Sequence, residues 1–204
     1  MGALTKLEAV NRILRAAGEY PTSSLTATGS NDTLMAETVL DEQTLYVNME
    51  GAVANTIYTT MTPDTNGNII VPDNLLHVET YSDDMSMVLS TRGSSPTYLY
   101  NVEKNTTTFT ESIKVQQVVR LDFEDLPTQT QFAVTDQAAR MYQMTSVGDA
   151  GQDQLLAQQE MLSNARMKQA DARTRKANFM WGLESNPYNA RTRLRGQASP
   201  RYGY

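Results

Sequence analysis

Two pairs of adjacent carboxylates are the residues of this sequence that could most directly support acid–base chemistry. Asp83-Asp84 and Glu124-Asp125 could supply the two carboxyl groups that a glycosidase needs. Neighbouring side chains of a strand point to opposite faces, however, and both pairs lie among turn-forming residues, where Asp makes local hydrogen bonds and faces water. The sequence therefore favours solvated turns at both places, and a glycan hydrolase is kept as an alternative.

Metal, nucleotide and thiol chemistry find little support in the sequence. The chain has no cysteine and one histidine, His77, which lies between apolar residues and is expected to be a hydrogen-bonded strand residue. Gly29-Ser30 could bind an anion at a helix start, but no nucleotide-binding spacing surrounds it, so an ordinary helix cap is predicted. We therefore expect no catalytic residue, no metal and no cofactor.

A different pattern lies near residue 204, where arginines and tyrosines alternate. The arginines are Arg191, Arg193, Arg195 and Arg201, and the tyrosines are Tyr188, Tyr202 and Tyr204. In an extended chain the first three arginines would lie on one side. Arginine and tyrosine are enriched at protein interfaces, which favours docking on an acidic protein surface. The predicted partner-binding residues are Arg191, Arg193, Arg195, Arg201 and Tyr202; nucleic-acid binding and a disordered solubilising tail are the alternatives.

The charge of the chain is divided unevenly along its length. Residues 1–164 carry 21 acids and 8 bases, whereas residues 165–204 carry 2 acids and 9 bases. The body is thus expected to repel nucleic acid, and the C-terminal segment to seek an acidic partner or a phosphate backbone. No apolar run approaches eighteen residues, so no membrane-spanning segment is expected.

Two helices are predicted before residue 51. Thr5-Lys6-Leu7-Glu8 is a capping box, and apolar residues at helical spacing follow it up to Ala17, before Gly18 and Pro21. A second helix should begin near Asn31 and end at Gly51. Its predicted apolar face consists of Leu34, Met35, Val39, Leu45, Tyr46 and Met49.

Strand-forming residues then dominate from Val53 to Leu121. Short runs rich in Val, Ile, Thr and Tyr alternate with turn formers, which predicts six or seven antiparallel strands in a small sandwich or open barrel. Asn66-Gly67 lies between TIYTTM and NIIV and predicts a tight hairpin.

Helix returns at Pro127, which is tolerated in a first turn. One helix should continue to Gly148, with a buried side formed by Phe132, Val134, Ala138, Ala139, Met141 and Tyr142. The last helix should run from about Gln152 to Trp181. Its first half is amphipathic through Leu155, Leu156 and Leu162. Its second half, ARMKQADARTRKAN, is polar all round, which indicates either a bridge between folded parts or contacts outside the chain.

These elements predict an α+β fold, in which a helical bundle carries an inserted small antiparallel β domain and an extended C-terminal tail. The predicted parts are residues 1–51 and 125–181 for the bundle, 52–124 for the β domain and 182–204 for the basic tail.

Four stretches of the sequence resemble the tail tubular protein A, or adaptor, family of short-tailed bacteriophages. In chain order they are AVNRILRAAGEYPTSSL, TLMAETVLDEQTLYVNMEG, NIIVPDNLLHVETYSDD and VVRLDFEDLPTQTQFAVTDQAARMYQ. Together they cover about residues 7–146, in the order and spacing of the family.

The resemblance implies a structural role in the virion, at the tail on the portal vertex of the capsid. Adaptors of this family form a ring of about twelve copies. The ring joins the portal protein to the tail nozzle protein, tail fibres dock near this junction, and DNA passes through its channel. Enzymatic activity and membrane insertion are not expected. A DNA-binding tail component led by the C-terminal arginines is a further alternative.

Overall fold

The computed structural model describes residues 3–25, 30–81 and 87–175, and its first two elements are helices. These are α1 (Lys6–Ala16) and α2 (Asn31–Met49). The capping box is confirmed, because the Thr5 side chain accepts a hydrogen bond from the Glu8 N–H and the Glu8 carboxylate accepts one from the Thr5 N–H. Gly18 ends α1 with a φ of +80°, a conformation that glycine adopts without a steric penalty.

Five strands lie between the described helices and form two antiparallel sheets. They are β1 (Thr56–Met61), β2 (Leu75–Thr80), β3 (Leu89–Arg92), β4 (Tyr98–Asn101) and β5 (Ile113–Val119). The larger sheet has the order β1-β5-β2, and β3 pairs with β4. β5, the last of these strands in the sequence, is thus the central strand of the larger sheet. The sheet can therefore form only when β5 is placed between β1 and β2.

Two long helices follow the sheets. The chain passes through a 3₁₀ turn at Phe123–Asp125 and enters α3 (Thr128–Ser146), with Pro127 as its N-cap. Asp149 then caps α4 (Ala150–Thr174) by accepting hydrogen bonds from the Gly151 and Gln152 N–H groups. No helix within the described ranges is both long and apolar enough to cross a membrane.

The helices share one core and the sheets have another. α3 packs against α1, α2 and α4. The helical core is drawn from all four helices and includes Ile13, Leu40, Val134, Tyr142 and Met167. The second core lies between the sheets and the segment 69–71, and its fully buried members are Ile69, Leu99, Ile113 and Val115. The α+β fold with a helical bundle and small antiparallel sheets is therefore confirmed, while the division at 51/52, 124/125 and 181/182 stays a prediction.

The turn predicted at Asn66-Gly67 forms, but the predicted pairing of the two strands on either side of it is wrong. The Gly67 N–H donates to the Asp64 carbonyl (2.9 Å), and Gly67 has a φ of +82°. β1 does not pair with the segment that follows this turn, because its register runs Thr56 to Val118 and Met61 to Ile113 with β5. Segment 68–70 instead makes isolated bridges to Thr108 and Tyr98. The predicted six or seven strands are thus five in the residues that the structure describes.

The predicted apolar faces are also partly wrong. On α2, three of the six residues, Leu34, Tyr46 and Met49, are 60–64% exposed. The core-facing side of this helix instead includes Thr33, Ala36, Thr44 and Asn48. On the later helices the exposed members are Met141, Leu155 and Leu162, and Phe132 is only half-buried. Helical periodicity identifies the apolar side of a helix. It does not determine whether that side packs in the core of the same chain or is exposed on the surface.

Candidate assembly surfaces

Within the described ranges, the residues that could do acid–base or metal chemistry are not gathered into a site. Glu124 and Asp125 are exposed in the 3₁₀ turn before α3, and Glu124 Oε1 accepts a hydrogen bond from the Lys6 N–H (3.2 Å) at the start of α1. The Asp83-Asp84 pair lies outside the described residues. Among the residues that are described, no group of three or more His, Asp or Glu side chains could hold a metal ion.

His77 and Ser30 have simple roles in the fold. His77 is a residue of β2, as predicted, and its side chain is exposed. Ser30 is the N-cap of α2, where its Oγ accepts a hydrogen bond from the Thr33 N–H (3.3 Å), as predicted for a cap. The predicted partner-binding residues Arg191, Arg193, Arg195, Arg201 and Tyr202 lie outside the described residues, and their role stays a prediction.

Two buried asparagines join the bundle to the larger sheet. Asn48, at the end of α2, donates to the Leu121 carbonyl (3.0 Å) and accepts from the Leu121 N–H (3.2 Å). Asn55 donates to the Asn48 carbonyl (2.7 Å) and to the Val119 carbonyl (3.0 Å). The chain passes from the helices to the sheet near Asn55 and returns near Leu121. The hydrogen bonds of this asparagine pair therefore hold both passages together.

The end of α4 closes over the same junction. Asp171 accepts a hydrogen bond from the Val53 N–H (2.8 Å), and Arg175 donates to the Gly51 carbonyl (3.1 Å) while pairing with Asp171 (2.8 Å). A cleft of about 330 Å³ remains between these elements, lined mostly by apolar atoms that include Val47 and Met167. The last turns of α4 are thus tied to the linker that enters the sheet.

The contact between α3 and α4 is mainly polar. Arg140 on α3 pairs with Asp153 (2.7 Å) and Glu160 (3.1 Å) on α4. These hydrogen bonds hold the pKa of Asp153 below its usual value and raise that of Arg140, so both groups stay charged near neutral pH. Only Leu156, Ser163 and Met167 of the described α4 residues are buried. Ion pairs and amide hydrogen bonds thus join α4 to α3 beside a small apolar contact made by Leu156 and Met167.

Asp136 is the most enclosed charge of this contact. Its Oδ1 accepts hydrogen bonds from Arg12 of α1 (2.8 Å) and from Gln159 of α4 (2.9 Å), and its side chain is 5% exposed. The Arg12 guanidinium also lies over the Phe132 ring, at 5.2 Å. One carboxylate thus links three helices.

Replacing Asp136 by alanine should lower the free energy of unfolding by about 2 kcal/mol. The loss is moderate because Arg12 and Gln159 both reach solvent and can be hydrated once the carboxylate is gone. Urea unfolding of the full chain measures it, with the exposed Glu111→Ala as the control. A loss below 0.5 kcal/mol in Asp136→Ala, equal to that of the control, would contradict the role given to this carboxylate.

Tyr142, near the C-terminal end of α3, has a buried phenol group. Tyr142 is fully buried and donates a hydrogen bond to Glu19 (2.8 Å) in the segment after α1. Burial raises the pKa of the Tyr142 phenol, and the Glu19 carboxylate raises it further, so this group remains neutral. It fixes the chain that leaves α1, a structural task.

Exposed apolar residues on α2, α3 and α4 are the feature that sequence reasoning misread. Leu34, Leu155 and Leu162 belong to the predicted apolar faces, yet each of these residues is more than half exposed. Apolar residues that recur along a helix and face solvent mark contacts with other proteins. The misassigned residues of the apolar faces are therefore the signal that could have indicated these surfaces.

The notable features of this chain are exposed helix faces and a junction that ties two folded parts together. These features are typical of a structural protein that assembles with other chains. The comparison with protein families agrees: the family described as tail tubular protein matches residues 7–177, and the chain belongs to this family. It is a structural component of the phage virion tail. A comparison of the sequence with curated proteins found no match.

Proposed function

We propose that this protein is the adaptor of a short-tailed phage, forming a ring of about twelve copies that joins the portal protein to the tail nozzle. The observation that carries the proposal is the family match, which spans both the helical bundle and the sheets. The role is non-enzymatic, and tail fibres dock near the junction of adaptor and nozzle.

The arrangement of two folded parts supports a connecting role. The bundle and the sheets have separate cores, and Asn48, Asn55 and the end of α4 hold the crossing between them. Because the junction is fixed, the bundle and the sheets present two different surfaces at a constant distance from each other. Each surface can then bind a different neighbouring protein.

The charge of the body supports a place beside passing DNA. Residues 1–164 carry 21 acids and 8 bases, so the body presents few groups that could neutralise phosphates. A channel wall of this kind lets DNA slide without holding it.

The basic segment after α4 completes the proposal. Arg191, Arg193, Arg195, Arg201 and Tyr202 order against an acidic patch of the portal or of a neighbouring copy. Arginine makes charge-assisted and often bidentate hydrogen bonds to carboxylates, and tyrosine adds apolar contact area at low entropic cost.

Imaging of the virion vertex tests the ring directly. We expect about twelve copies of the chain between portal and nozzle. The mass of the purified full chain, alone and mixed with the portal, checks the same point in solution, where the portal is expected to promote assembly. Six or fewer copies at the vertex would overturn the proposal.

A further inference from the structure

The outward side of α2 combines apolar and acidic residues. Leu34, Tyr46 and Met49 are 60–64% exposed, and Glu42 and Glu50 are exposed beside them. α2 itself contains four acids and no Lys or Arg. Glu42 and Glu50 form no ion pair with the residues that the structure describes, whereas Glu37 and Asp41 pair with Lys6 of α1. In the part of the chain that the structure describes, this surface, which we call the α2 face, thus has no ion-pair partner for its two outer glutamates.

The outward side of α4 has the opposite character. Leu155, Leu162, Arg166 and Arg173 are spaced by seven, four and seven residues, so they lie on one side of the helix. All four are exposed. The acids of α4 are engaged within the protomer, Asp153 and Glu160 by Arg140 and Asp171 by Arg175. Arg166 and Arg173, by contrast, make no ion pair in the described part of the chain, and together with the two leucines they form the α4 face.

The two faces run side by side in the same direction. α4 runs antiparallel to α3, since Gln137 bonds Asn164 and Arg140 bonds Asp153. α2 does so too, since its end at Val47 lies beside Thr130 and its start at Asp32 lies near Tyr142. Val47 and Met167 line the same cleft, so these two residues lie at a similar height. Leu34 lies thirteen residues before Val47 and Leu155 twelve before Met167, or about 20 and 18 Å along the helices. Leu34 and Leu155 are therefore level at one end. At the other end, Glu50 lies three residues beyond Val47, between the heights of Arg166 and Arg173.

The α2 face lies opposite the buried side of α2, whereas the α4 face lies to one side of the buried residues of α4, where Leu162 and Arg166 line a cleft with Phe132 of α3. The two faces belong to different helices, so they lie on different parts of the protomer surface. An interface between unlike faces is heterologous, and repetition of it closes a ring when the rotation allows. Matched heights, apolar residues and opposite charges are the properties that such an interface needs.

We propose that the α2 face of one copy packs against the α4 face of the next copy, and that this contact builds the ring. The proposal rests on the proposed function and names the surfaces that would produce it. Leu34 meets Leu155, and Glu42 and Glu50 pair with Arg166 and Arg173.

A charge exchange between the faces tests this contact. Glu42→Lys with Glu50→Lys, and separately Arg166→Glu with Arg173→Glu, should each weaken assembly of the full chain at least tenfold in concentration, with or without the portal. Mixing the two variants should restore assembly, because every contact in an alternating ring then joins opposite charges. A single chain carrying all four substitutions should also assemble.

Matched variants separate this effect from a general change of charge. Glu111→Lys with Asp73→Lys changes net charge as the first variant does, and Lys104→Glu with Lys114→Glu changes it as the second does; all four positions are exposed on the β region. Both should assemble like the unmodified chain, with an unchanged circular dichroism spectrum. Equal losses in the face variants and these controls, or no rescue on mixing, would overturn the proposal.

Disulfide trapping gives an independent answer because the chain has no cysteine. Thr38→Cys on α2 and Gln158→Cys on α4 are exposed positions at matching heights. A chain with both should oxidise to a ladder beyond dimers, whereas each single variant can form dimers at most. Absence of trimers and larger species would contradict the contact.

A twelve-copy ring in which these helices do not touch would overturn the interface and leave the proposed function standing. Absence of a ring would overturn the proposed function itself.

Discussion

Deletion of residues 185–204 should weaken binding of the protein to the portal by about thirtyfold or more. Loss of a desolvated arginine–carboxylate pair costs about 2–5 kcal/mol, and one such pair suffices for this factor. The deleted segment contains Arg191, Arg193, Arg195 and Arg201. The described helices and sheets end before it, so the free protein should unfold at nearly the same temperature. Titration of the portal with both chains and a thermal melt measure the two effects.

Substitution of the same arginines by lysine is the sharper comparison. Lysine keeps the charge but lacks the planar fork that binds a carboxylate through two hydrogen bonds. A protein partner predicts an intermediate loss of portal binding in this variant, and DNA binding that scarcely changes. If the deletion instead spares portal binding and removes affinity for duplex DNA, the nucleic-acid interpretation is correct. If it changes neither, the segment is a solubilising tail.

Local features of the fold could be predicted because their causes lie within a few residues. The Thr5–Glu8 capping box, the stop at Gly18 and the helix start after Pro127 each depend on backbone groups close in the sequence. The turn at Asn66-Gly67 forms for the same reason. The pairing of β1 with β5 could not be predicted, because it joins residues more than fifty positions apart and is decided by the shared core.

The surfaces were harder to predict than the elements. Leu34 and Leu155 have the same periodicity as core residues, and an interface between copies requires apolar residues just as a core does. Conversely, Gln131, Thr135 and Asp136 are buried on α3, although polar residues are expected outside. They are buried because partners in other elements or the preceding turn satisfy them, and a single sequence does not reveal those partners.

The junction between bundle and sheet depends most on one side chain. Asn48 is 1% exposed, and it satisfies both backbone groups of Leu121 as the chain returns from the sheet. It also donates to the Thr44 carbonyl, and its own carbonyl accepts from Asn55. No apolar or smaller residue can replace these bonds, because water has little access to this point.

Replacing Asn48 by alanine should lower the free energy of unfolding by about 3 kcal/mol. Each buried group left without a partner costs about 1–3 kcal/mol, and this substitution strands the N–H and the carbonyl of Leu121. Asn74→Ala is the matched control: Asn74 reaches the neighbouring Arg120 carbonyl (3.4 Å) in the same way but is exposed, so its loss should stay below about 0.5 kcal/mol.

Urea unfolding of both variants gives the two free energies, and hydrogen exchange tests the cause. The Leu121 N–H should exchange faster in Asn48→Ala than in the unmodified chain, while amides in the centre of α3 keep their protection relative to global unfolding. Since Asn48 ties the two cores together, the variant should also begin to lose the β1-β5-β2 sheet before the helices. Equal effects of Asn48→Ala and Asn74→Ala, or one sharp transition with unchanged exchange at Leu121, would show that the junction is held by the packing of the linkers and not by this side chain.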